Sequence, residues 1–134
     1  MTLRHIVVGS GSTMGAGEAV ISDVVRLGDL LFLSGRAAVD PATLKVIPGG
    51  FEAQAQRVLA DIDAVLAASG SSRAQVARVE CYLADAGDFP AWNRIWCDFF
   101  AAPRPARTTV VCDFAVPGIL IELQVTAGAG GLEP

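Results

Sequence analysis

Two side chains in this sequence have the type and setting to handle a small organic acid, Arg107 and Glu122. Arg107 closes the run Pro103-Arg104-Pro105-Ala106-Arg107, whose prolines stiffen the chain just before a β-branched stretch begins. A guanidinium held there loses little freedom on binding, and its planar fork matches a carboxylate in a bidentate pair. From the local pattern alone, a solvated basic rim residue is the plainer description. Glu122 interrupts the apolar run Ile119-Leu120-Ile121-Glu122-Leu123. A carboxylate in such a strand has to be paired, hydrogen-bonded or functional. Partial desolvation would raise its pKa toward general acid/base use. A structural ion pair or an edge position would account for it equally well.

Other chemistries find less support. His5 is the one histidine and falls on a terminal strand, so a Ser-His-Asp or Cys-His arrangement has a single, badly placed candidate. Cys81, Cys97 and Cys112 are widely spaced, odd in number and without a CxxC pair. They do not resemble a zinc site and read as core or subsurface packing in a reducing cytoplasm. The stretch Ile6-Val7-Val8-Gly9-Ser10-Gly11-Ser12 looks like a strand entering a dinucleotide-binding glycine loop. That motif needs a helix next, and the β-branched run Val20-Ile21-Ser22-Asp23-Val24-Val25 follows instead.

The elements that must position Arg107 and Glu122 are legible in outline. Residues 4–8 read as a short strand, residues 9–17 as a glycine-rich turn, and residues 20–27 and 30–34 as a hairpin around Gly28-Asp29. A polar loop with Asp40-Pro41 and Pro48-Gly49-Gly50 follows. Phe51, Ala55, Val58, Leu59, Ile62, Val65 and Leu66 share one stripe at helical spacing, with Gly70 as a stop. Residues 76–83 alternate, with Val79, Cys81 and Leu83 on one face and Arg78, Glu80 and Tyr82 on the other. A second helix opens at Asp88 as N-cap, tolerates Pro90 and carries the aromatic stripe Phe89, Trp92, Trp96, Phe99 and Phe100, read as core. Strands over residues 107–114 and 119–126 flank the turn Val116-Pro117-Gly118.

This order predicts one α+β domain over residues 1–134, with a mixed sheet of five or six strands and two helices on one face. Leu30-Leu31-Phe32-Leu33 and Ile119-Leu120-Ile121 are apolar on both sheet faces, which would leave a large patch in water. A second copy of the chain is the simplest cover, so a homo-oligomer is expected. The 134 residues carry a net charge of −4 and are 52% hydrophobic, against disorder and against a nucleic-acid backbone as partner. No apolar segment approaches a membrane span and no secretory signal opens the chain, so a cytoplasmic location is expected.

Several stretches together resemble the Rid family, the YjgF group of reactive-intermediate deaminases, also labelled endoribonuclease L-PSP. They are Leu33-Ser34-Gly35, Gln54, Asp88-Phe89, Asn93 with Phe99-Phe100, Pro105-Ala106-Arg107-Thr108, and Ile121-Glu122, in the family's order over residues 24–127. The resemblance implies a chorismate-mutase-like fold and a homotrimer with ligand sites in clefts between subunits. It also implies hydrolysis of enamines and imines to 2-oxo acids and ammonia. Arg107 would bind the substrate carboxylate and Glu122 would position or activate the attacking water, with Gly35 and Asn93 lining the pocket. No metal or organic cofactor is called for, because an imine carbon is already electrophilic.

The sequence departs from the pattern at Ile21, where many active members carry an aromatic residue. It departs again at Arg36, in place of a usual glutamine, and at Thr109, in place of a frequent cysteine. Arg36 and Thr109 are therefore expected in an altered pocket wall, Arg36 either as a second positive charge or paired with an acidic neighbour. A carboxylate-sensing trimer without catalysis is the alternative function. An endoribonuclease fits less well, given the acidic composition and the lack of a basic-aromatic stripe.

Overall fold

The computed structural model describes residues 2–6, 14, 16–40 and 42–130. Its sheet starts with three antiparallel strands, β1 (Leu3–Ile6), β2 (Val24–Leu27) and β3 (Leu30–Leu33). The β2–β3 turn needs a positive φ at its first central residue, and Gly28 supplies it at 61°, which fits a type II′ hairpin. After a two-residue strand β4 (Arg36–Ala37) comes helix α1 (Gly50–Ala68), then β5 (Val76–Leu83), helix α2 (Phe89–Phe99), β6 (Ala106–Val111) and β7 (Ile121–Gly128). The sheet runs β1-β2-β3-β7-β5-β6, with β4 pairing β7. Only β5 and β6, joined through α2, are parallel, as a helical crossover requires.

The mixed sheet with two helices is as the sequence predicts, but several boundaries move. The strand expected over residues 20–27 begins at Val24, with Ile21 making only an isolated bridge. The last two strands shift to 106–111 and 121–128. Strand β4 is unforeseen, because two residues between loops leave no periodicity to read. Val7 and Val8, most of the glycine-rich turn and Pro41 lie outside the described residues. Asp88 occupies the N-cap of α2 but makes no side-chain cap bond; Asp85 accepts from Gly87 N at 2.8 Å one turn earlier. Among the described residues no helix is long and apolar enough to cross a membrane.

Helix α1 lays Ala55, Val58, Leu59, Ile62, Val65 and Leu66 against Leu31, Leu33, Val79, Cys81, Leu83, Ile121, Leu123 and Val125 of the sheet. Each fully buried aliphatic side chain contributes about 1.5–3 kcal/mol. The helix ends in a Schellman arrangement: Ser71 N donates to Leu66 O at 2.8 Å, Gly70 N donates to Ala67 O at 3.2 Å, and Gly70 takes φ 75°. Trp92, Trp96 and Phe100 are buried as foreseen, whereas Phe89 is exposed. Of the cysteines only Cys81 is buried; Cys112 is half-buried and Cys97 is exposed on α2. The opposite sheet face carries Leu30 at 47%, Phe32 at 42% and Val110 at 44% exposure, but Gln124 and Thr126 of β7 and Arg78 and Glu80 of β5 lie between them, so the apolar face expected from the sequence is interrupted by polar side chains.

Candidate functional site

Glu122 sits on the face away from the helices, opposite Tyr82 on β5 and Ala37 on β4. Its carboxyl closes on Gly35 so tightly that a Cβ there would stand 2.9 Å from Glu122 Oε2. Burial holds the Glu122 pKa above the usual carboxylate range. Both residues open into a cavity of about 290 Å³, also lined by Arg36, Tyr82, Cys112, Asp113 and a run of aliphatic side chains. Arg36 Nη2 reaches Asp23 Oδ1 at 3.4 Å, and Asp23 is only 4% exposed. Of the two roles the sequence left open for Arg36, the ion pair is the one formed.

The cavity's shape depends on local ties. Ser34 Oγ donates to Ser22 O at 2.6 Å and Ser34 N to Asp23 O at 3.0 Å, which fixes the approach to Gly35. Gln54, buried in α1, donates through Nε2 to Gly118 O and accepts from Leu120 N, both at 2.9 Å. These two bonds clamp the segment that leads into Glu122 and carries Ile119 into the cavity wall.

Arg107 lies on the other face. It is in register with Val79 of β5, so it points toward α2. There its Nη2 donates to Asn93 Oδ1 at 2.7 Å. The guanidinium carbon stands 5.0 Å from the Trp96 ring centre and 5.6 Å from that of Phe89, within cation–π range. The aromatic stripe read as core thus also steadies a cation at its edge. One donor is spent on Asn93, and the remaining fork is half-exposed.

Within one chain these two groups do not meet. Arg107 pairs with Val79, while Glu122 pairs with Tyr82 from the opposite side of β5. At about 3.3 Å per residue along the strand and 4.8 Å between strands, their backbones are roughly 14 Å apart. Their side chains leave opposite faces. A molecule the size of an amino acid cannot touch both in a single chain.

A family model described as Endoribonuclease L-PSP matches residues 16–129. The chain belongs to the endoribonuclease L-PSP family. This is the Rid/YjgF group. The chain is 39% identical over 103 residues to Protein DfrA of Myxococcus xanthus, covering 77% of this chain and 79% of that protein. It is 34% identical over 89 residues to a 2-iminobutanoate/2-iminopropanoate deaminase of Dermatophagoides farinae, covering 66% and 70%. A crystal structure of a YjgF family member from Neisseria meningitidis superposes with a TM-score of 0.79 at 30% identity, covering 98% of each chain.

The L-PSP domain brings Gly35, Arg36 and Glu122 together and holds Asn93 against Arg107, leaving these as two groups. Thr109 belongs with the second, in register with Cys81 beneath α2. Burial pushes the Cys81 thiol up to about 11, against the pull of Thr109 and Trp92. The Thr109 hydroxyl and Trp92 indole N–H have no regular hydrogen-bond partner; the weakly accepting sulfur is the polar atom they face. Tyr82 and Gln54 were missed as site residues. The alternation of β5 could have put Tyr82 on the Glu122 face, and Gln54 is a polar residue set inside the apolar stripe of α1. Asp23 and Asp113 carry no sequence signal of this kind. Among the described residues no three of His, Cys, Asp or Glu gather as metal ligands.

Proposed function

We propose that this protein is a hydrolytic deaminase of small enamines and imines, releasing 2-oxo acids and ammonia at clefts between the subunits of a homotrimer in the cytoplasm. The observation that carries this reading is the raised, half-buried carboxyl of Glu122 facing a cavity, while the preorganised cation Arg107 stands on the opposite sheet face. Each is half of a site, and copies packed with these two faces together would join the halves. Family membership and the name of the mite relative support the reaction class. Three free thiols fit a reducing compartment.

In this reading Arg107 of one copy binds the substrate carboxylate, with Asn93 holding the guanidinium and Thr109 beneath it. Glu122 of another copy takes a proton from water as the water oxygen bonds to the imine carbon. Glu122 returns that proton to nitrogen, giving a carbinolamine; the carbinol O–H proton then passes by way of Glu122 to the nitrogen as the C–N bond breaks and the C=O bond forms, so that ammonia leaves with the 2-oxo acid. Gly35 gives the substrate room against Glu122, and Arg36 shapes the wall. A pKa raised toward neutrality suits a group that must both accept and donate. The test is ammonia release from freshly generated 2-iminopropionate. Acceleration is expected, and Arg107→Ala should weaken kcat/KM by roughly 10- to 100-fold, the worth of a charged hydrogen bond. No acceleration of any imino acid would overturn the reading, and binding of small carboxylates without turnover would then point to a sensor.

A further inference from the structure

The cavity beside Glu122 is lined by the polar side chains of Tyr82 and Asp113 and, over most of its wall, by apolar ones, Ile21, Val39, Leu44, Val116 and Ile119 among them. At about 290 Å³, the cavity is far larger than a methyl substituent. The one cation of the wall, Arg36, is tied to the buried carboxylate of Asp23 at 3.4 Å, so its charge is offset inside the protein. Asp113 and Glu122 then leave the cavity with an acidic balance. Among the described lining residues, a second carboxylate on the substrate would meet no open cation and two carboxyl groups.

From this we infer that the preferred substrates are imines of amino acids with large, uncharged apolar side chains, the substituent lying against Val39, Leu44, Val116 and Ile119. The inference rests on the deaminase reading and deepens it. The imine carbon must lie beside Glu122, and most of the wall of that same cavity is aliphatic. Burying a substituent there gains about 0.8 kcal/mol per methylene, whereas burying an unpaired carboxylate is costly.

The experiment is a rate series with imino acids generated in place by an amino-acid oxidase from alanine, leucine, phenylalanine and glutamate. The leucine- and phenylalanine-derived imines are expected to exceed the alanine-derived one in kcat/KM by about tenfold or more, the scale of discrimination in an apolar pocket. The glutamate-derived imine should be accelerated least. Val39→Phe, which narrows the cavity beside its aliphatic wall, should lower the leucine-to-alanine ratio by about tenfold. Being a ratio within one variant, it is insensitive to the fraction folded. An alanine-derived imine handled as well as the leucine-derived one, a glutamate-derived imine handled equally, or a ratio unmoved in Val39→Phe would each overturn the inference while leaving the deaminase standing. Acceleration of none of the four would overturn both.

Discussion

Glu122 carries the sharpest consequences at the scale of a residue. Its raised pKa comes from burial, so the folded protein binds that proton more tightly than the unfolded chain. The stability this confers is complete below the unfolded pKa and is lost as pH rises through the folded one. Glu122→Gln should therefore melt above the wild type at neutral pH, with the gap closing toward about pH 4, near the unfolded glutamate pKa. Turnover should fall by about 10²–10⁴-fold in the same variant, and the wild-type rate should decline as acid protonates Glu122. Melting curves with a pH-independent gap would contradict the burial account. Gly35→Ala tests the same contact from the other side. The new Cβ would meet Glu122 Oε2 at 2.9 Å, and the carboxyl, being the end of a flexible side chain, can give way. Thermal stability should barely change while activity drops. A large loss of stability would mean that the glycine serves the backbone and not the site.

The elements show how a side chain far from the cavity can shape it. Gln54 belongs to α1, yet its amide satisfies Gly118 O and Leu120 N on the path into β7. Gln54→Leu keeps the volume and removes both partners. The cost should be about 0.5–1.5 kcal/mol for each hydrogen bond lost, because Gly118 is exposed and Leu120 half-buried, and it is read as a lower denaturation midpoint. Activity lost before unfolding begins would show the loop carrying Ile119 released from its place. Helix α1 and strand β5 could be read from the sequence because each keeps one period over several turns or pairs, with a single burying face. Strand β4 could not, and the N-terminal half of the strand expected at 20–27 dissolved. β-branched residues there satisfy the local preference, but only Val24 onward finds partners in β3. Pairing, and not propensity, decides where a strand begins.

The whole molecule poses the question of assembly. Leu30, Phe32 and Val110 lie on the face without helices, and the two halves of the proposed site emerge on opposite faces of one sheet. If copies complete each other, two inactive variants should rescue one another. Arg107→Ala and Glu122→Ala chains, co-refolded in equal amounts, would by random assortment form intact sites at about one quarter of positions in a cyclic oligomer. Activity near that fraction is the expected outcome, with sedimentation reporting the number of subunits. An inactive mixture that still assembles would overturn the intersubunit arrangement.

The sequence by itself determined the two helices, the alternating strands and the two residue types suited to a small organic acid. Each of these depends on local periodicity or on one residue standing against its neighbours, as Glu122 does among Ile121 and Leu123. Only the tertiary structure decided that Arg36 is spent on Asp23, that Asn93 holds Arg107, that Tyr82 faces Glu122, and that Arg107 and Glu122 leave opposite faces. These relations join positions 13, 14 and 40 residues apart, or turn on which side of β5 a strand pairs. Strand order and register set them, and neither leaves a mark on any single stretch of the chain.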